Sequence, residues 1–193
     1  MSFASRHKRD VILAATCVAV GIVVGVFMYA YTPSWLRTGD SSPPVNFVKV
    51  SPRIDTAGQP SAAQLRALRR KGYDLVINLA PPDSFGSIPD EGALVAETGI
   101  VYVNIPVDFK APSIGAFDFF SNVLKTSAAR HVLVHCQLNG RASVFVFLYR
   151  VVHDHADPDA AYEKVTAAWV PNDRWKAFAD RVLRQHHIDY ELY

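Results

Sequence analysis

The chain has 193 residues, half of them apolar and a fifth charged, with 20 Lys/Arg against 18 Asp/Glu and a sequence pI near 8.6. That balance excludes a disordered chain, a collagen-like repeat and a strongly basic nucleic-acid binder. Two cysteines, Cys17 and Cys136, exclude a disulfide-stapled mini-protein and a zinc site built from thiolate pairs.

Residues 1–10 form a short basic N-terminus, and residues 11–31 stand apart from everything that follows. Of these 21 residues only Thr16, Gly21 and Gly25 fall outside the apolar set, and none is charged. As a helix rising about 1.5 Å per residue the segment covers roughly 31 Å, the thickness of a hydrocarbon core of about 30 Å. Tyr29, Tyr31 and Trp35 lie at its C-terminal end, where amphipathic rings favour the interface, and Arg6, Lys8 and Arg9 precede it. The segment is expected to be a single transmembrane helix. The positive-inside bias places its N-terminus in the cytoplasm and the C-terminal domain outside, which for a bacterial inner membrane means the periplasm. A cleaved signal peptide is the rival reading. The apolar run is longer than the usual h-region, and a cut after Ala30 would leave Met28 where a small residue is wanted.

Residues 32–46, with Pro33, Gly39, Ser41, Ser42, Pro43 and Pro44, read as a solvated tether of at most about 50 Å. The basic pI belongs to the membrane flank. From Thr38 onward the chain carries 16 Lys/Arg and 17 Asp/Glu, so the domain beyond the tether is nearly neutral.

Residues 47–193 alternate strands and helices. Residues 47–50 predict a short strand leading to Ile54-Asp55-Thr56-Ala57-Gly58-Gln59-Pro60. Ser61 and Gln64 form a capping box, and Gly72 ends that helix after Arg69, Arg70 and Lys71, whose charges complement the helix dipole. Residues 75–79 are an apolar run of buried-strand type. Pro81-Pro82-Asp83 breaks the chain, and 90–98 predicts a helix stopped by Gly99. Residues 100–105 predict a strand, Ser113 caps a helix to about 127, and 132–134 is the most buried-looking strand. A largely apolar helix is expected over 141–155. Asp157-Pro158 opens another, and two helices in all follow to the C-terminus. Strands separated by helices imply an α/β fold with a central, mostly parallel sheet flanked by helices, whose ligands gather at the carboxyl ends of the strands. Phe117, Phe119, Phe120, Trp169 and Trp175 read as core. His153, Asp154, His155, Asp157 and Asp159 suggest a metal cluster by composition alone. Residues two apart on a helix do not share a face, so they read as a solvated helix end. No metal and no other cofactor is expected.

The chemistry lies where the strand over 132–134 ends. His135-Cys136-Gln137-Leu138-Asn139-Gly140-Arg141-Ala142-Ser143 runs from a buried strand through a short loop into a helix. Such a loop turns backbone N–H groups of Gln137, Leu138, Asn139 and Gly140 toward one point at a helix N-terminus, an anion nest. The same field favours a thiolate at Cys136. Arg141 adds a rigid fork of donors for a tetrahedral oxyanion. Asn139 suits a tight loop because Asn tolerates the left-handed conformation. His135 is expected to support the loop by hydrogen bonding.

These residues resemble the cysteine-dependent phosphatases of the tyrosine and dual-specificity type, in particular the compact bacterial protein tyrosine phosphatase-like family. The resemblance covers about 48–183 and rests on Gly58-Gln59-Pro60-Ser61, Val76-Ile77-Asn78-Leu79, Ile105-Pro106-Val107-Asp108, His135-Cys136 with Arg141, and Tyr149-Arg150. It implies a cysteine-phosphatase-like fold and a phosphorylated protein or small molecule as partner. By the same resemblance Cys136 forms a phosphocysteine, Arg141 binds the phosphoryl oxygens, and Asp108 protonates the leaving oxygen and later activates water. Asp83, in another loop after a strand, is the substitute acid. The phosphatase motif has five residues between Cys and Arg, whereas this chain has four, as in rhodanese-like sulfurtransferases. It also has Ala142 where the motif carries a hydroxyl, which leaves Ser143, one residue on, to assist release of the thiolate. A membrane-anchored phosphatase is the expectation. A rhodanese-like sulfurtransferase is the alternative, and a catalytically silent phosphate-binding scaffold the second.

Overall fold

A computed structural model describes residues 42–129 and 131–193. The predicted span over 11–31 and the tether as far as residue 41 lie outside the described residues. Among those described, no helix is long and apolar enough to cross a membrane.

The domain contains five strands: β1 (Val48–Lys49), β2 (Ile54–Ala57), β3 (Leu75–Asn78), β4 (Val101–Asn104) and β5 (Val132–His135). Its helices are α1 (Ala62–Ala67), α2 (Glu91–Ala96), α3 (Ile114–Thr126), α4 (Gly140–His153), α5 (Pro158–Thr166) and α6 (Asp173–Gln185). The strands pair in the order β1-β2-β5-β3-β4, parallel throughout except for β1 against β2. Both neighbours of β5 align their first residues, Ile54 and Leu75, with Val132. β5 is therefore central, and its carboxyl end emerges in the middle of the sheet edge.

Local chemistry sets most element ends. The Ser61–Gln64 capping box forms in full, and the chain leaves α1 through a 3₁₀ turn over Arg69–Lys71 closed by Gly72 at φ +87°. Ser113 caps α3 through the Ala116 N–H, and Asp157 caps α5 through the Ala160 N–H. The sequence pattern does not mark β2, because Asp55 and Thr56 interrupt its apolar character. Both are buried all the same. Asp55 accepts a hydrogen bond of 2.6 Å from the Tyr73 hydroxyl and lies 2.7 Å from Nε2 of His131, whose ring stacks on Tyr73. Burial, then the hydrogen bond and charge of Asp55, hold the Tyr73 hydroxyl far above its ordinary titration range.

Alternate strand residues face two layers. Ile54, Leu75, Ile77, Val132 and Val134 join Phe117, Phe120, Phe145, Trp175 and Phe178 in the larger core. Val76 and Leu133 meet Leu65, Leu68, Tyr73 and Val95 in the smaller one. Each fully buried side chain of this size contributes about 1.5–3 kcal/mol. α4 is apolar on every side because it runs through the larger core, touching the sheet on one side and α3, α5 and α6 on the others. Phe117, Phe120 and Trp175 are core as expected, but one aromatic residue departs from it. Phe119 is 55% exposed, because its position on α3 faces away from the sheet. Trp169, half-buried in the α5–α6 connection, packs against the larger core and also lines a cavity.

Candidate active site

Cys136 follows β5 directly, its N–H donating to the Ala57 carbonyl at 3.2 Å, and α4 begins four residues later. Asn139, the residue before α4, takes the left-handed conformation at φ +73° and is fully buried. The turn is tight enough to need it. No backbone carbonyl among the described residues accepts from the N–H groups of Gln137, Leu138, Gly140, Arg141 or Ala142. These donors, at the N-terminus of a 14-residue helix, are what an anion nest requires.

Arg141 is 5% exposed, and its Nη1 donates to the Val107 carbonyl at 3.0 Å. Its buried Nε has no partner. A buried guanidinium edge without an acceptor is costly unless a ligand supplies one. Cys136 and Arg141 share a cavity of about 390 Å³ with Asn46, Phe109, Leu138 and Trp169. Leu138 projects from the loop at 59% exposure and forms part of the rim. A larger cavity, about 780 Å³, opens near Arg69, Leu75 and Val101 at the opposite ends of the strands and is lined by no cysteine.

Asp108 is exposed, on the loop after β4, and is not among the residues lining the Cys136 cavity. Its carboxylate accepts from the Lys110 N–H at 2.8 Å. Both its chain neighbours are anchored to the site: the Val107 carbonyl to Arg141, and the Phe109 carbonyl to Trp175 Nε1 at 3.1 Å. The structure thus brings the Asp108 loop to Arg141 and leaves the carboxylate on the outer side. Asp83 is exposed in the loop after β3. Ser143 is buried; its hydroxyl donates to the Gly140 carbonyl and accepts from Trp169 Nε1, each at 3.1 Å, so it is engaged there and not with the sulfur.

His135 points to the other face of the sheet, fully buried, with Nε2 2.9 Å from Oε1 of Glu91. Glu91, at the start of α2 and 5% exposed, also accepts from Gln59 Nε2 at 2.5 Å and from Asn78 Nδ2 at 3.4 Å. Burial pushes this carboxyl up, but the close approach of His135, with help from the Gln59 and Tyr102 side chains, outweighs it and holds Glu91 below the ordinary range. Burial also raises Tyr102, to about 12, with the Asn78 hydrogen bond opposing and Glu91 reinforcing the shift. The Gln59 N–H in turn donates to the Gln137 carbonyl at 3.0 Å. Glu91 therefore braces the loop from both sides of the cysteine. Sequence reasoning passes it over, since an acidic residue opening a helix looks like an ordinary complement to the dipole. The signal available was the Gln59 of Gly58-Gln59-Pro60, a polar side chain beside a buried strand. Asn46 and Trp169 were likewise missed as cavity residues.

Comparison with known proteins places this geometry. A crystal structure of a candidate phosphatase (DUF442) from Shewanella putrefaciens CN-32 is 30% identical, with a TM-score of 0.67, over 74% of this chain and 94% of that one. The core catalytic domain of SIW14, a PP-IP phosphatase from S. cerevisiae, shares the fold at a TM-score of 0.61 and 15% identity, over 79% of this chain and 99% of that one. Among curated proteins, the beta-lactamase hydrolase-like protein of Xylella fastidiosa (strain Temecula1) is 27% identical over 111 residues, 56% of this chain. The aligned region spans only 26% of that protein's length. A family model described as "DSP-PTPase phosphatase fused to NAD+ kinase" matches residues 41–179, well over half of the sequence. The chain belongs to that family, within the cysteine-phosphatase superfamily.

Proposed function

We propose that the domain hydrolyses phosphate monoesters through a phosphocysteine at Cys136. The observation that carries this reading is the unpartnered, buried Nε of Arg141 beside a loop of uncommitted N–H donors, in the same cavity as the cysteine. The thiolate attacks phosphorus while the P–O bond to the leaving group breaks, and the leaving oxygen takes a proton from Asp108. Water then attacks the phosphocysteine, giving its proton to the Asp108 carboxylate; inorganic phosphate leaves and the thiolate is restored. The Arg141 fork and the loop N–H groups bind the phosphoryl oxygens, where negative charge is densest in the transition state. For Asp108 to act, its side chain must leave the Lys110 N–H and turn inward. The anchored carbonyls of Val107 and Phe109 hold the backbone in place for that swing.

The test is phosphate release from an aryl phosphate by the full chain in detergent, compared with Cys136→Ser. Cysteine-dependent turnover between about pH 5 and 7 is the expected result. Its absence counts against hydrolysis.

The four-residue loop and an Asp108 carboxylate outside the cavity lining favour a second reading, a rhodanese-like sulfurtransferase. Thiocyanate formation from thiosulfate and cyanide, without aryl phosphate turnover, would support it over the first. With neither activity, a phosphate-binding scaffold remains.

We also propose that residues 11–31 anchor the domain in a bacterial inner membrane with the domain in the periplasm. The uncharged, predominantly apolar run and its basic flank support this. A periplasm-dependent reporter fused to the C-terminus is expected to be active, and mature protein beginning near Tyr31 would refute the anchor.

A further inference from the structure

The stretch just before β1 does not hang free of the domain. Pro44 is buried, the Ser42 carbonyl accepts from Gln64 Nε2 at 3.2 Å, and the Val45 carbonyl accepts from the Gly58 N–H at 2.7 Å. Asn46 then makes two bonds to the loop after Cys136. Its Nδ2 donates to the Leu138 carbonyl at 3.0 Å, and its own carbonyl accepts from Asn139 Nδ2 at 2.6 Å. Asn139 Nδ2 also reaches Thr56 Oγ1 at 3.0 Å. Asn46 itself sits in the left-handed region, at φ +50°, and lines the cavity that holds Cys136 and Arg141. The family match begins at residue 41, so this stretch is part of the shared domain.

A nest binds an anion only while its peptides turn N–H groups, not carbonyls, to the ligand. Each peptide of a short exposed loop can rotate the other way. Leu138 and Asn139 form the middle of the loop: the Asn139 carbonyl accepts from the Ser143 N–H of α4 at 2.9 Å, and Leu138 bridges to Gly58 beyond the end of β2. Asn46 fixes both, one through its carbonyl and one through its side chain.

We infer that Asn46 is a positioning residue for the anion-binding loop, and that residues 42–47 form a strap that holds Leu138 and Asn139 in the conformation that receives a phosphate-type oxyanion. The inference rests on the reading of Cys136 and Arg141 as an oxyanion site. It gives the strap a role in affinity: the loop is pre-shaped before the ligand arrives, so the ordering cost is removed from binding.

The experiment uses the full chain in detergent and follows alkylation of Cys136 by iodoacetamide, read on its own peptide by mass spectrometry, against rising inorganic phosphate. Asn46→Gly keeps the left-handed turn and removes only the Nδ2 donor. Asn46→Asp replaces that donor with a carboxylate facing the Leu138 carbonyl. The phosphate concentration for half-protection is expected to rise about fivefold in the first, the worth of one neutral hydrogen bond, and more than about tenfold in the second. Asn46→Gly is expected to unfold in urea in a single cooperative transition above the assay conditions, so that it is folded when tested, and aryl phosphate turnover to show a raised KM. Half-protection within about twofold of wild type in both variants overturns the inference, as does a wild type that phosphate does not protect. A wild type that is protected but does not turn over aryl phosphate refutes hydrolysis alone, and the variants still decide the role of Asn46.

Discussion

Replacing Glu91 by Gln tests whether a buried carboxylate braces the cysteine loop. The side chain is 5% exposed, with Oε1 2.9 Å from His135 Nε2 and Oε2 accepting from Gln59 Nε2 at 2.5 Å. Gln keeps the shape but sets an amide N–H₂ against Gln59 on one side or against His135 and Asn78 on the other. The expected loss is about 1.5–3 kcal/mol, the worth of a charge-assisted hydrogen bond with its partner left buried. Glu91→Ala should lose about 3 kcal/mol or more, since it removes the acceptor of Gln59 and Asn78 outright and leaves buried polar groups unpaired. The sign with pH follows from the direction of the shift. Glu91 titrates lower in the folded chain than its ordinary value of 4.5, so its contribution is fully present above that value. It fades as pH falls through the lower folded value. Urea unfolding of wild type and Glu91→Gln at pH 7 and in steps below pH 4.5 measures this. The two should differ most at neutral pH and converge in acid. A gap that is absent at pH 7, or that persists unchanged in acid, would refute the reasoning.

Three other substitutions probe separate links. Gly58→Ala would drive a Cβ into Val45 Cγ1 and to 2.8 Å from the Gln137 carbonyl, wedging the strap from the loop. It should cost about 1–3 kcal/mol in urea unfolding. Tyr73→Phe strips the hydroxyl donor from buried Asp55 and should lower stability by about 1–3 kcal/mol with aryl phosphate turnover unchanged. Asp108→Asn should slow an alkyl phosphate by about 10²–10⁴-fold and p-nitrophenyl phosphate much less. An equal effect on both would argue against Asp108 as the acid.

What the sequence made legible follows from how local each signal is. The capping box at Ser61, the proline after Asp157 and the apolar run over β5 act within a few residues, and those elements form as expected. The order Cys136-loop-Arg141 is local too, and the fold places both side chains in one cavity. β2 was hidden because its polar residues are satisfied from afar: Asp55 by Tyr73, 18 residues on, and by His131, 76 residues on. The same holds for Glu91, whose partners Gln59 and His135 come from other strand ends. Asn46 belongs to a stretch whose prolines and serines read as tether, and nothing in its own neighbourhood announces a bond to a loop 92 residues away. A buried polar group that is paired over a long separation leaves no periodic trace.

The contacts that shape the cysteine loop span long stretches of chain: Asn46 to Leu138 over 92 residues, Thr56 to Asn139 over 83, and Val107 to Arg141 over 34. Closing such separations is slow compared with forming α4 or the β3–β4 pair, because the chain entropy is lost before the contact repays it. The reactive centre is thus completed only with the tertiary fold, as is the β2–β5 pairing beneath it, which joins equally distant parts of the chain. A nascent or partly folded copy can hold its cysteine in the right strand and still lack an anion site, so oxyanion binding reports complete folding where secondary structure does not.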